Sequence, residues 1–195
     1  MESSIRAWRV SERARLKEER LCLPSVEREL LTQAISRNLN VVFERRSRCT
    51  LGLYWPIKGE FDLRPWAARL CVRKRYTLAL PVVVKERTPL EYWQWQPGDP
   101  VARGFWGIMV PERRQPIMPD VIIAPLVGFC GLYRLGHGGG YFDRTLAAMR
   151  HKPLAIGVGT EASRVEDYIP QPHDIPMGVI VTEGAVYRAP EASAT

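Results

Sequence analysis

Cysteine is scarce and scattered. The four in 195 residues, Cys22, Cys49, Cys71 and Cys130, form no C-x-x-C pair. That spacing argues against a zinc site and a disulfide framework, and for reduced thiols in a cytoplasmic protein. No apolar run approaches the roughly 20 residues that a membrane span requires, and the charged N-terminus lacks the apolar core of a secretion signal. Internal repeats, low-complexity tracts and recognised nucleic-acid motifs are all missing. So is the Walker spacing G-x-x-x-x-G-K-[ST]. The nearest approach to G-x-G-x-x-G, through Gly136 and Gly138, meets Tyr141 at its last position.

What is present describes a globular chain. Hydrophobic residues make up 46% and charged residues 25%, a balance that supports a packed core rather than disorder. The length predicts one domain, residues 1–188, with a disordered tail at 189–195. The net charge of +7 suits a polyanionic ligand such as a nucleotide. It would suit nucleic acid equally, but acidic residues are interspersed nearly throughout.

Apolar spacing predicts alternating helices and strands. Residues 5–20 read as a charged helix on which Arg9 and Arg13, four apart, share a face. Taken alone, that pair reads as a solvated basic face. A second helix begins near Pro24 and carries Leu30, Leu31, Ala34, Ile35 and Leu39 as a stripe against a sheet. A third, over 63–73, turns Trp66, Ala67, Leu70 and Cys71 inward. Strands are predicted over 50–55, 77–84, 90–95 (an edge strand), 121–124, 154–158 and 179–182, with Pro81 marking a strand end or bend. Residues 111–119 read as a crossing loop. The alternation predicts an α/β fold: a single three-layer domain, mainly parallel, with helices on both faces, Rossmann-like.

The chain is organised around residues 125–144, PLVGFCGLYRLGHGGGYFDR. A buried strand enters this stretch and a helix leaves it near Tyr141 or Phe142, so it reads as strand, glycine-rich loop, helix. Glycines let the backbone approach an anion closely, and free N–H groups at a helix start point toward it. Arg134 and Arg144 bracket the loop and add charge-assisted donors. The bland alternative, a flexible surface turn, does not call for Gly136, Gly138, Gly139 and Gly140 within five positions.

Residues 134–144, RLGHGGGYFDR, resemble the R-L-G-x-G-x-G-[YF]-[YF]-D signature of the 5-formyltetrahydrofolate cyclo-ligase family. The likeness extends from the N-terminal helix to Val181-Thr182-Glu183. It implies conversion of 5-formyltetrahydrofolate to 5,10-methenyltetrahydrofolate with ATP and Mg2+, releasing ADP and phosphate. It also implies a monomer acting on small molecules, including polyglutamylated folates, with no nucleic-acid or membrane partner.

On the family pattern, Arg134 and Asp143 would be catalytic. Arg9, Arg13, Arg134, Gly136, His137, Gly138, Gly139, Gly140, Tyr141 and Phe142 would hold the nucleotide. Tyr54, Glu60, Trp106 and Tyr141 would orient the folate, with Glu60 accepting from the pterin ring and its amine together. Asp143 and Asp174 would hold magnesium, which needs only one or two carboxylates when phosphates and water supply the rest.

Other readings stay open at several of these positions. Tyr54 and Trp106 equally suit core or rim packing, and His173 suits a loop hydrogen bond. Glu60 also suits a helix-start acid, although Asp62 competes for that place. The position held by His137 varies in the motif. Cys130 stands where the family usually has an aspartate expected to brace the loop or an arginine, and Gly178 where an aspartate is frequent. Cys130 therefore supports a second reading, a catalytically impaired nucleotide- or folate-binding paralogue.

Overall fold

Val121-Ile122-Ile123-Ala124 becomes the fully buried centre of a sheet. The computed structural model describes residues 2–74 and 76–189, so all but the first residue of the predicted tail lies outside the described residues. Chain order is α1 (Glu2–Cys22), α2 (Ser25–Phe43), β1 (Thr50–Gly52), α3 (Arg64–Lys74), β2 (Thr77–Val82), β3 (Glu91–Gln94), β4 (Val101–Arg103) and β5 (Met109–Pro111). It continues with β6 (Val121–Pro125), β7 (Gly128–Cys130), β8 (Tyr133–Leu135), α4 (Tyr141–Ala148), β9 (Leu154–Val158), β10 (Val179–Val181) and β11 (Val186–Arg188).

The seven-stranded sheet has the order β11-β10-β9-β6-β1-β2-β3. Its inner pairings, β10·β9, β9·β6, β6·β1 and β1·β2, are parallel. Only the two edges are antiparallel, at β10·β11 and β2·β3. Pro81 lies beyond the end of β1, which stops opposite Ala79, so its missing N–H leaves no gap in that ladder.

Side chains alternate across the sheet as a strand period of two requires. Leu51, Leu78, Leu80, Val121, Ile123, Ile156 and Val179 face α2 and α3, which contribute Ile35, Leu39, Phe43, Trp66 and Leu70. Ile122, Ala124, Ala155 and Ile180 face the other way, against Phe129 of β7 and Leu146 of α4. This is the expected three-layer arrangement. The α2 stripe is rotated from the predicted one: Leu30 is exposed, while Ile35, Leu39, Val42 and Phe43 are buried.

Two hairpins were not predicted. Residues 101–111 form β4·β5, and residues 128–135 form β7·β8. The second stands between the buried strand and the glycine loop, so strand and loop are not directly joined. Its two-residue turn opens on Gly131 at φ +54, the conformation that a tight hairpin asks of glycine. Helix α1 lies on this hairpin through Leu16, which packs with Val127, Leu135, Val165 and Tyr168. No helix among the described residues is long and apolar enough to cross a membrane.

Candidate active site

The strand order reverses between β1 and β6. From β1 the chain moves outward to β2 and β3; from β6 it moves the opposite way, to β9 and β10. Ligands of open α/β sheets bind in the crevice at the carboxyl ends of such a pair. Here one wall is the loop after β1, which carries Glu60. The other is the β7·β8 hairpin with the glycine loop behind it.

The loop after β1 is held rigidly. The buried Tyr54 hydroxyl donates to the Phe61 carbonyl at 2.6 Å. Burial, and then the charge of Glu60, push that phenol well above its ordinary range, so it remains a neutral donor. Tyr54 is therefore a brace inside the core and presents no face for a ring to stack on, contrary to its expected place against the folate. Asp62 accepts from the Arg64 amide at 3.0 Å and pairs with its guanidinium at 2.7 Å, taking the helix-start role. Glu60 is thus left to the crevice. One of its oxygens accepts from the Ile57 amide at 2.9 Å, and the other meets His137 Nε2 at 2.7 Å.

Helix α1 supplies the cations. Arg13 Nε donates to the Gly136 carbonyl at 2.7 Å, while Arg20 donates to the carbonyls of Lys58 and Leu126, both at 3.2 Å. One helix thus grips both walls. Burial, and next the neighbouring Arg9, make Arg13 less basic than a free arginine. Lys17 is lowered by burial and then by Lys58, Arg13 and Arg20. Positive groups crowded together in this way are poised for an anion. Lys17 was missed in the sequence, although its spacing from Arg9 and Arg13 (i, i+4, i+8) puts all three on one helical face.

The glycine loop needs its glycines. A Cβ at Gly136 would collide with the Arg134 guanidinium, and Gly138 has φ +100. Arg134 is buried and pairs with Asp143 at 2.8 Å, and its guanidinium carbon lies 5.0 Å from the centre of the Phe142 ring. Phe142 thus supports Arg134, turning toward the sheet while its amide opens α4. Arg144 donates to the Gly139 carbonyl and lies against Tyr141, its guanidinium carbon 5.0 Å from the ring centre. Tyr141 also meets Trp106 edge to face at 5.4 Å. Trp106 is 64% exposed, on a 3-10 turn where its own φ is +54. These two aromatics form the open lip of the site.

Asp174 departs from the role expected of it. Arg9 binds both of its oxygens, Tyr168 donates at 2.9 Å and the Gln171 amide at 2.7 Å. Burial acts against its charge, but these donors prevail and hold the carboxyl below the usual range. A carboxylate so occupied does not fit a magnesium ion; it positions Arg9. Asp143 does fit, because its Oδ1 has one donor, the Ile175 amide at 3.3 Å, and so keeps lone-pair capacity. That amide is next in chain to Asp174, so Asp143 is tied to the backbone of the same loop. No cluster of three or more histidine, cysteine, aspartate or glutamate side chains among the described residues could hold a metal ion. His173 is exposed, 3.8 Å from Asp174 and beyond hydrogen-bond reach. Cys130 faces the Glu166 carbonyl at 3.8 Å, and the bracing of Arg134 falls to Asp143 instead.

Such a crevice, with a cationic glycine-lined wall facing an ordered carboxylate at a switch point, is the arrangement of an α/β enzyme acting on small molecules. The sequence narrows this further. The chain belongs to the 5-formyltetrahydrofolate cyclo-ligase family, whose profile matches residues 5–183, and is therefore a ligase-type enzyme. It is 28% identical to the 5-formyltetrahydrofolate cyclo-ligase of Escherichia coli K12 over 180 residues, covering 87% of this chain and 96% of that one. The Haemophilus influenzae enzyme of the same name is 25% identical over 173 residues, 85% and 92% of the two chains. The NMR structure of Aquifex aeolicus 5,10-methenyltetrahydrofolate synthetase aligns with a TM-score of 0.80 at 30% identity, over 96% and 95% of the chains. The Mycoplasma pneumoniae synthetase, at 22% identity and TM-score 0.74 over 90% and 98%, shares the fold.

Proposed function

We propose that this enzyme converts 5-formyltetrahydrofolate and ATP into 5,10-methenyltetrahydrofolate, ADP and phosphate, acting as a cytoplasmic monomer on small molecules. One observation carries the reading. The Glu60 carboxylate and the glycine loop face each other across one crevice, in contact through His137 at 2.7 Å. A folate ring at the first and a triphosphate at the second would therefore meet.

The formyl oxygen attacks the γ-phosphorus, its bond to ADP breaks, and the oxygen becomes a phosphorylated leaving group. N10 then closes on the formyl carbon, gives up its proton to water, and phosphate departs carrying the former formyl oxygen. Such transfer asks for positioning and charge neutralisation more than for a side-chain nucleophile. Arg9, Arg13 and Arg134 supply cations, residues 136–140 and the start of α4 supply N–H donors, and Trp106 and Tyr141 border the ring. Magnesium carried by the triphosphate would add charge neutralisation, with Asp143 the residue that meets it. The binding-only alternative rested on Cys130, and the Arg134–Asp143 pair weakens that support.

Methenyltetrahydrofolate absorbance should rise steadily with 5-formyltetrahydrofolate, Mg-ATP and the protein together, and with none of them left out. Tight ligand binding without product would favour the binding-only reading. Glu60→Gln should raise the folate Kd at least tenfold in calorimetry, since a hydrogen bond to a charged group is worth about 1.5–3 kcal/mol, and leave nucleotide affinity nearly intact. Equal loss of both would contradict the division of labour.

A further inference from the structure

His137 occupies the motif's variable position, yet among the described residues it makes the one side-chain hydrogen bond between the two walls described above. Its Nε2 lies 2.7 Å from Glu60 Oε1, and the Glu60 side chain is only 2% exposed. A carboxylate in its ionised form only accepts, and facing one the imidazole Nε2 acts as the donor. The second oxygen has the Ile57 amide as donor, and because the carboxylate is sealed from solvent its remaining lone pairs open to a ligand N–H only when His137, the more exposed partner, moves aside.

His137 also belongs to the glycine loop itself. The preceding carbonyl, that of Gly136, is tied to Arg13, and the following residue, Gly138, sits at φ +100. Gly138 can take up a change in φ and ψ that few other residues could. Glu60 tolerates the exchange because Lys17 and Arg20 lie close enough to feel its charge.

We propose that His137 is a gate on Glu60. It covers the carboxylate while the ring site is empty, an incoming N–H donor ring displaces it, and the loop at 136–140 shifts with it. Binding at the ring site and at the phosphate site is thereby interdependent. The proposal rests on the function proposed above and goes beyond it by assigning the link between the two sites to one side chain.

Calorimetry with 5-formyltetrahydrofolate, with and without a non-hydrolysable ATP analogue and Mg2+, tests this in the full chain. In the wild type the analogue should change the folate Kd at least fivefold. In His137→Ala that factor should fall to about one, and the folate Kd without nucleotide should tighten several-fold, because no imidazole need be displaced. His137→Gln, which keeps a donor near the Nε2 position, should restore part of the coupling, an effect that a merely structural role would not produce. The gate is overturned if Glu60→Gln weakens folate while His137→Ala binds and couples as the wild type does. If the wild type binds no folate, or Glu60→Gln leaves folate affinity unchanged, the functional reading fails first and the gate with it.

Discussion

Arg13→Ala should lower kcat/KM for the nucleotide by about 10²–10³ while the protein stays folded. The guanidinium has two tasks. Its Nε fixes the Gly136 carbonyl at 2.7 Å, and its Nη atoms, beside Gly138, are available to phosphate. Losing a preorganised donor of this kind typically costs about two to three powers of ten in rate. Stability should suffer little, because burial and the nearby Arg9 already work against the Arg13 charge. Arg13→Lys keeps a cation but loses the planar fork and should fall between the two. Steady-state kinetics with ATP varied, beside a thermal melt, separates the effects. A loss below tenfold would remove Arg13 from the phosphate site.

Asp174→Ala should be the most destabilising change at the site. It strands Arg9, whose side chain is 10% exposed, without a counter-charge, leaving the Ile169 carbonyl and the Tyr168 ring beside it. Breaking a buried pair from one side costs about 3–5 kcal/mol, or roughly 10 °C in Tm for a chain of this size. Arg9→Leu/Asp174→Leu, which leaves no unpaired charge, should recover much of that stability but not activity.

The pH dependence has a definite sign. The folded Asp174 carboxyl is held below its ordinary value of 3.8. Its contribution is therefore complete above that value and is lost as pH falls through the lower, folded one. Below about pH 4 the wild-type Tm should drop more steeply than that of Asp174→Ala. Parallel curves in thermal melts would show that the pair does not carry this stability.

How much of this the sequence reveals depends on range. The buried strand at 121–124, the cap at Asp62 and the shared face of Arg9 and Arg13 rest on neighbours a few positions away. They were legible. Tyr54 was misplaced because two roles, lip or brace, suit an aromatic at a strand end. The deciding partner, the Phe61 carbonyl, is invisible until the loop closes. Asp174 reads as a free acid until Arg9, 165 residues earlier, is brought against it. His137 meets Glu60 across 77 residues, a separation over which no spacing rule operates. The β7·β8 hairpin did carry a local signal in the turn at Gly131, masked by the density of glycine after it.

Helix α1 holds both walls by arginine, yet reaches the interior chiefly through Leu16, with Trp8 packed more peripherally. The two larger clusters on either face of the sheet include none of its side chains. Warming should therefore loosen the clasp before it melts the body, and the enzyme would fall silent while its spectrum still looked native.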